Sequence, residues 1–115
     1  MKILERSRPK TSVLDFDPRN VRRFLREKLL DHGVKEAYLF GSFAEGRCTP
    51  WSDLDLVVVI QTDLPFVERG REFEELFELG IPIDLLVYTP KEFLQLQSSD
   101  SPFWKTFNRQ KVKLL

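Results

Sequence analysis

The chain has 115 residues, 42% of them hydrophobic, and eighteen Lys and Arg balance eighteen Asp and Glu for a formal net charge of zero. That length suits one domain, residues 1–115, burying roughly two-thirds of its unfolded surface, and the charge balance removes bulk electrostatics as a reason to bind nucleic acid or an anionic membrane. One cysteine, Cys48, excludes an intrachain disulfide and a cysteine-built zinc cluster, and one histidine, His32, leaves little for a histidine-rich metal site.

Residues 1–14, basic and broken by Pro9, read as an irregular or short extended lead-in. The first ten hold no apolar stretch of signal-peptide length. No run approaches the ~20 apolar residues that span a bilayer, so the cytoplasm is the expected location. Asp17-Pro18 then predicts a helix start, with Asp as the cap and Pro at the first helical position. Val21, Phe24, Leu25 and Leu29 recur at helical spacing, Arg22, Arg23, Arg26 and Glu27 take the other side, and Gly33 stops the run.

Residues 34–40 are strand-like and end at Gly41-Ser42, where a short helix can start. The punctuated stretch 43–52 reads as loop, and Trp51 within it suits either stacking on a ligand or bracing the loop. The clearest strand is 54–60, where the near-continuous apolar run LVVVI predicts a central strand covered on both faces. From Pro65 the pattern turns helical, with Phe66, Phe73, Leu76 and Phe77 sharing one side and Gly80 ending it. Residues 81–88, IPIDLLVY, read as a third strand. Thr89-Pro90 caps a helix over 91–97, Ser101-Pro102 opens a last turn through Phe107, and 108–110 turns into a terminal strand over 111–115. The expected fold class is α+β (an α/β sandwich), a mixed sheet with helices packed against it.

Three carboxylates carry the chemistry. Alternation places Asp53 and Asp55 with Val57 and Val59 on one face, and Asp84 with Leu86 and Tyr88 on one face of the third strand. If those strands pair, Asp84 joins Asp53 and Asp55 in a cluster whose mutual repulsion a divalent cation relieves. Gly41 backbone and the Ser42 hydroxyl, at the end of the neighbouring strand, are candidates to hold an anion. Each signal alone has a plain structural alternative: a simple turn, a loop-ending aspartate or a satisfied strand-end carboxylate. Their order and elements together point to magnesium–nucleotide chemistry, in which two cations activate an attacking oxygen and stabilise departing pyrophosphate.

The run GSFAEGRCTPWSDLDLVVV closely resembles the signature of the DNA polymerase β-like nucleotidyltransferase superfamily: Gly-Ser, a short loop, Asp-x-Asp before an apolar strand, and a third Asp on a later strand. The small size points to its minimal nucleotidyltransferases, often encoded beside HEPN-domain proteins in toxin–antitoxin pairs. The likeness covers roughly residues 34–88. It implies the polymerase β-like fold, Gly41 and Ser42 on nucleotide phosphates, Asp53, Asp55 and Asp84 as catalytic metal ligands, and Asp84 as base for the acceptor hydroxyl. It further implies two Mg2+ ions, ATP as substrate, and AMP transfer to a tyrosine of a HEPN toxin partner in a type VII-like pair. Many minimal relatives carry Arg where this chain has Glu45, which puts triphosphate affinity or nucleotide choice in question; Arg47 is a candidate substitute. Phe103, Trp104 and Phe107 are expected either to close the core or to face a partner. Two other readings stay open: a non-catalytic antitoxin acting by contact, and an aminoglycoside-type small-molecule nucleotidyltransferase. Little chain remains to build an acceptor pocket for the second. Homo- or hetero-oligomers remain compatible with the sequence, while direct nucleic-acid binding and a membrane partner are not expected.

Overall fold

Four strands form one mixed sheet in the computed structural model, which describes residues 11–115. The sequence reading of residues 1–10 lies outside the described residues. Helix α1 (Pro18–Asp31) begins as expected: Asp17 Oδ1 accepts the Arg19 N–H at 2.8 Å, and Pro18 occupies the first turn. Its Val21, Leu25 and Leu29 are fully buried. β1 (Glu36–Phe40) runs into the single-turn helix α2 (Gly41–Ala44), and the chain returns as β2 (Leu54–Val59). β3 (Ile83–Tyr88) follows, then α3 (Pro90–Gln97), α4 (Pro102–Gln110) and the short β4 (Val112–Lys113).

The strand order is β3-β2-β1-β4, with β1 antiparallel to both β2 and β4 and β2 parallel to β3. A parallel pair needs a long crossover. The segment between β2 and β3 supplies it, as a 3-10 run over Phe66–Leu79.

Strand alternation divides the core in two. Leu39, Leu54, Leu56 and Val58 pack with Val21, Leu25, Phe73 and Leu76 on one face. Phe40, Val57 and Val59 pack with Phe93, Trp104 and Phe107 on the other. β2 is therefore covered on both sides, as its unbroken apolar run predicts. A mixed sheet between two helical layers is the expected fold class.

Several local expectations are corrected. The segment after Pro65 is 3-10 with a non-helical backbone at Phe73; accordingly Phe73 and Leu76 are buried while Phe66 and Phe77 stay exposed, and the four do not share a side. Phe66 instead stacks on Tyr88, ring centroids 5.4 Å apart. β3 starts at Ile83 rather than at residue 81. Residues 108–110 continue α4, because Ser101 caps its start and nothing in KTFNRQ interrupts the helical hydrogen bonds. The terminal strand is confined to Val112–Lys113.

Candidate functional site

The parallel register sets Asp55 of β2 directly beside Asp84 of β3, and the antiparallel register sets Phe40 of β1 against Asp55. Three strands thus bring the end of β1 and two carboxylates to one place. The approach to β2 is held by a hydrogen-bonded turn: Thr49 N–H donates to Ser52 Oγ at 2.7 Å, and Ser52 N–H to the Thr49 carbonyl at 3.0 Å. This turn delivers Asp53 just before the strand and carries the exposed Trp51.

Gly41 is packed tightly on this site. Its φ is +73°, and a Cβ added there would lie 2.0 Å from Asp55 Oδ2. Only a residue without a side chain lets the β1 turn approach the carboxylate so closely. Burial, and then the charges of Asp84 and Asp53, push the Asp55 carboxyl up to about 6. Asp84 itself is exposed, because it is the second residue of β3 and sits at the sheet's end.

Asp53, Asp55 and Asp84 therefore share one end of the sheet, yet among the described residues no three His, Cys, Asp or Glu side chains are gathered into a group that would hold a metal ion. The donor set is nonetheless suited to a hard divalent cation. It offers carboxylate oxygens alone, and the charge on Asp55 is already opposed by its two neighbours.

The last turn of α4 reaches the same place. Gly41 N–H donates to Gln110 Oε1 at 3.2 Å, and Gln110 Nε2 donates to Glu45 Oε1 at 2.8 Å. Arg47 pairs with that same Glu45 carboxylate, which holds the Glu45 carboxyl below the usual carboxylate range. The Arg47 guanidinium is therefore paired with Glu45 while remaining largely exposed to solvent. A cleft of about 450 Å³ opens here, bounded by Gly41, Asp55 and Asp84 on the sheet and by Phe103, Thr106 and Gln110 on α4. Sequence reasoning missed Thr106 and Gln110. Extending α4 past Phe107 reveals them, since residues 103, 106, 107 and 110 then share a helix face. Trp104 and Phe107 are core and Phe103 is exposed, so only two of that aromatic trio close the core.

The fold is α+β, with the glycine turn and the aspartates at one end of its mixed sheet. Residues 18–111 match the family model described as the nucleotidyltransferase domain, and the chain belongs to that family. It is 37% identical over 71 residues to a Methanocaldococcus jannaschii protein provisionally named a protein adenylyltransferase, an alignment covering 59% of this chain and 74% of that one. The fold is similar to that of a chain in a toxin–antitoxin complex crystallised with AMP-PNP, with a TM-score of 0.60 and 23% identity over 82% of this chain and 72% of that one. It is also similar to a chain in the complex of a tri-AMPylated Shewanella oneidensis HEPN toxin with its MNT antitoxin, with a TM-score of 0.57 and 20% identity over 86% and 72% of the two chains. Among the described residues no helix is long and apolar enough to cross a membrane.

Proposed function

We propose that this chain, as a single domain, transfers AMP from ATP to a hydroxyl, and that the acceptor is a tyrosine on a HEPN-domain toxin for which it serves as a cytoplasmic antitoxin. The observation that carries the reading is the seating of Gly41 against Asp55, with Asp84 beside it in register. Phosphate-binding backbone and carboxylates are then within reach of one triphosphate. The provisional name of the M. jannaschii relative supports adenylyl transfer to protein. The HEPN toxin and MNT antitoxin in the similar Shewanella complex support the choice of partner.

In this reading Gly41 N–H and the Ser42 hydroxyl orient the β- and γ-phosphates. Gln110 Oε1 must leave the Gly41 N–H for a phosphate oxygen to take its place. Asp53, Asp55 and Asp84 would hold two Mg2+ ions; when bound, these supply charge neutralisation for the triphosphate and the departing pyrophosphate. Asp84, exposed at the mouth, accepts the proton of the acceptor hydroxyl on its carboxylate. The acceptor oxygen bonds to the α-phosphorus, the α–β phosphoanhydride bond breaks, and pyrophosphate leaves.

Incubating the chain with a HEPN partner and Mg-ATP should raise the partner's mass by one or more AMP units. Asp84→Asn or Asp53→Asn should abolish the gain while the fold is retained by circular dichroism. Transfer that survives both substitutions would refute the carboxylate assignment. A second reading, neutralisation by contact alone, is favoured by the Gln110 cap on Gly41 N–H. Neutralisation by the Asp53→Asn protein would favour it.

A further inference from the structure

We propose that the exposed ring of Phe103 is the platform on which the nucleobase of the substrate stacks, with α4 laid along the nucleotide from phosphate to base. The inference rests on the nucleotidyl-transfer reading above and names the base subsite of the same cleft. Phe103 is 44% exposed, although it is flanked by two other rings. Phe40 meets it at 5.8 Å and 83°, and Trp104 at 5.1 Å and 79°. These perpendicular contacts fix the plane of the ring without covering it, which is the arrangement a stacking surface needs.

The position fits the length of the ligand. Phe40 immediately precedes Gly41, so the platform is joined to the turn proposed to take the phosphates. At its other end α4 touches that turn directly, through Gln110. Phe103 and Gln110 are seven residues apart, two helical turns or roughly 10 Å along one face, about the reach from a nucleotide's terminal phosphates to its base. Both line the cleft that holds Asp55 and Asp84, and Thr106 between them offers a hydroxyl. A base is covalently tied to its phosphates, so its subsite must open into this cleft. An acceptor carries no such tether and can approach from outside, across the exposed Asp84.

Base–aromatic stacking is worth about 1–3 kcal/mol, and about 1.4 kcal/mol is tenfold in affinity. With Mg2+ present, Phe103→Leu should weaken ATP binding about tenfold and leave the binding of inorganic triphosphate unchanged. Leucine keeps the apolar bulk against Phe40 and Trp104, so the fold persists, and Phe103→Trp should restore ATP affinity. Equal weakening of both ligands, or none for ATP, overturns the platform. So does a rise in KM for the acceptor alone, which would assign the ring to the acceptor instead. Wild-type protein that binds neither ATP nor triphosphate removes the nucleotidyl-transfer reading itself.

Discussion

Gly41 concentrates the local physics of the site in one residue. Its positive φ costs any other L-residue about 1–2 kcal/mol, and its missing Cβ leaves the room that Asp55 Oδ2 occupies. Gly41→Ala should therefore cost about 2 kcal/mol or more in urea unfolding and abolish transfer, because the carboxylate must move from the place it shares with Asp84. Activity close to wild type in that variant would show the contact to be incidental. From sequence alone Gly41 could be only a turn residue. Its contact with Asp55 depends on β1 and β2 running antiparallel with Phe40 opposite Asp55, which no local pattern specifies.

Among the elements, the least foreseeable link is Arg69. It lies in the 3-10 run with its side chain 8% exposed, donating from Nη1 to the Val87 carbonyl at 3.1 Å and to Glu92 Oε1 at 2.6 Å, and from Nε to the Leu64 carbonyl at 2.8 Å. One guanidinium thus ties the crossover to β3 and to the first turn of α3. The Arg69 hydrogen bonds, with the Thr89 N–H of the capping box, hold the Glu92 carboxyl down at about 2. Because the folded value lies below the ordinary 4.5, this pair contributes stability above about pH 4.5 and loses it as pH falls toward 2. Glu92→Gln should flatten that acid limb. It should also cost about 1–2 kcal/mol at neutral pH, a charged-hydrogen-bond value reduced for the half-exposed carboxylate, measurable as a shift in denaturation midpoint across a pH series. In sequence Arg69 stands amid charged residues and reads as surface; its burial follows only from the crossover lying back on the sheet. The capping signals Asp17-Pro18, Thr89-Pro90 and Ser101-Pro102, by contrast, were legible because a cap and its helix are neighbours in the chain.

For the whole molecule, the two cores divide the labour. One binds α1 and the crossover to the sheet, and the other holds α3 and α4, of which α4 walls the cleft. Phe107 is wholly buried in the second, meeting the rings of Phe40, Tyr38, Phe93 and Trp104. Phe107→Ala should cost about 3–5 kcal/mol, a large part of a small domain's stability. The expected result is a lower melting temperature with a single cooperative transition, and loss of ATP binding once α4 no longer lies against the sheet. Retained ATP affinity in the folded variant would mean that α4 does not contribute to the site.

The sequence by itself determined the order of the elements, though not the 3-10 character of the crossover or the length of α4, the division of each strand into faces, and the resemblance that assigns Gly41, Ser42, Asp53, Asp55 and Asp84 their proposed parts. These are properties of neighbours in the chain: periodicity, caps and a motif of fixed spacing. The tertiary structure decided the parallel register that sets Asp84 beside Asp55 across almost thirty residues, the approach of Gly41 to that pair, and the return of α4 to close the cleft. Those depend on which strands pair and which faces are left to be covered, and long-range burial settles them.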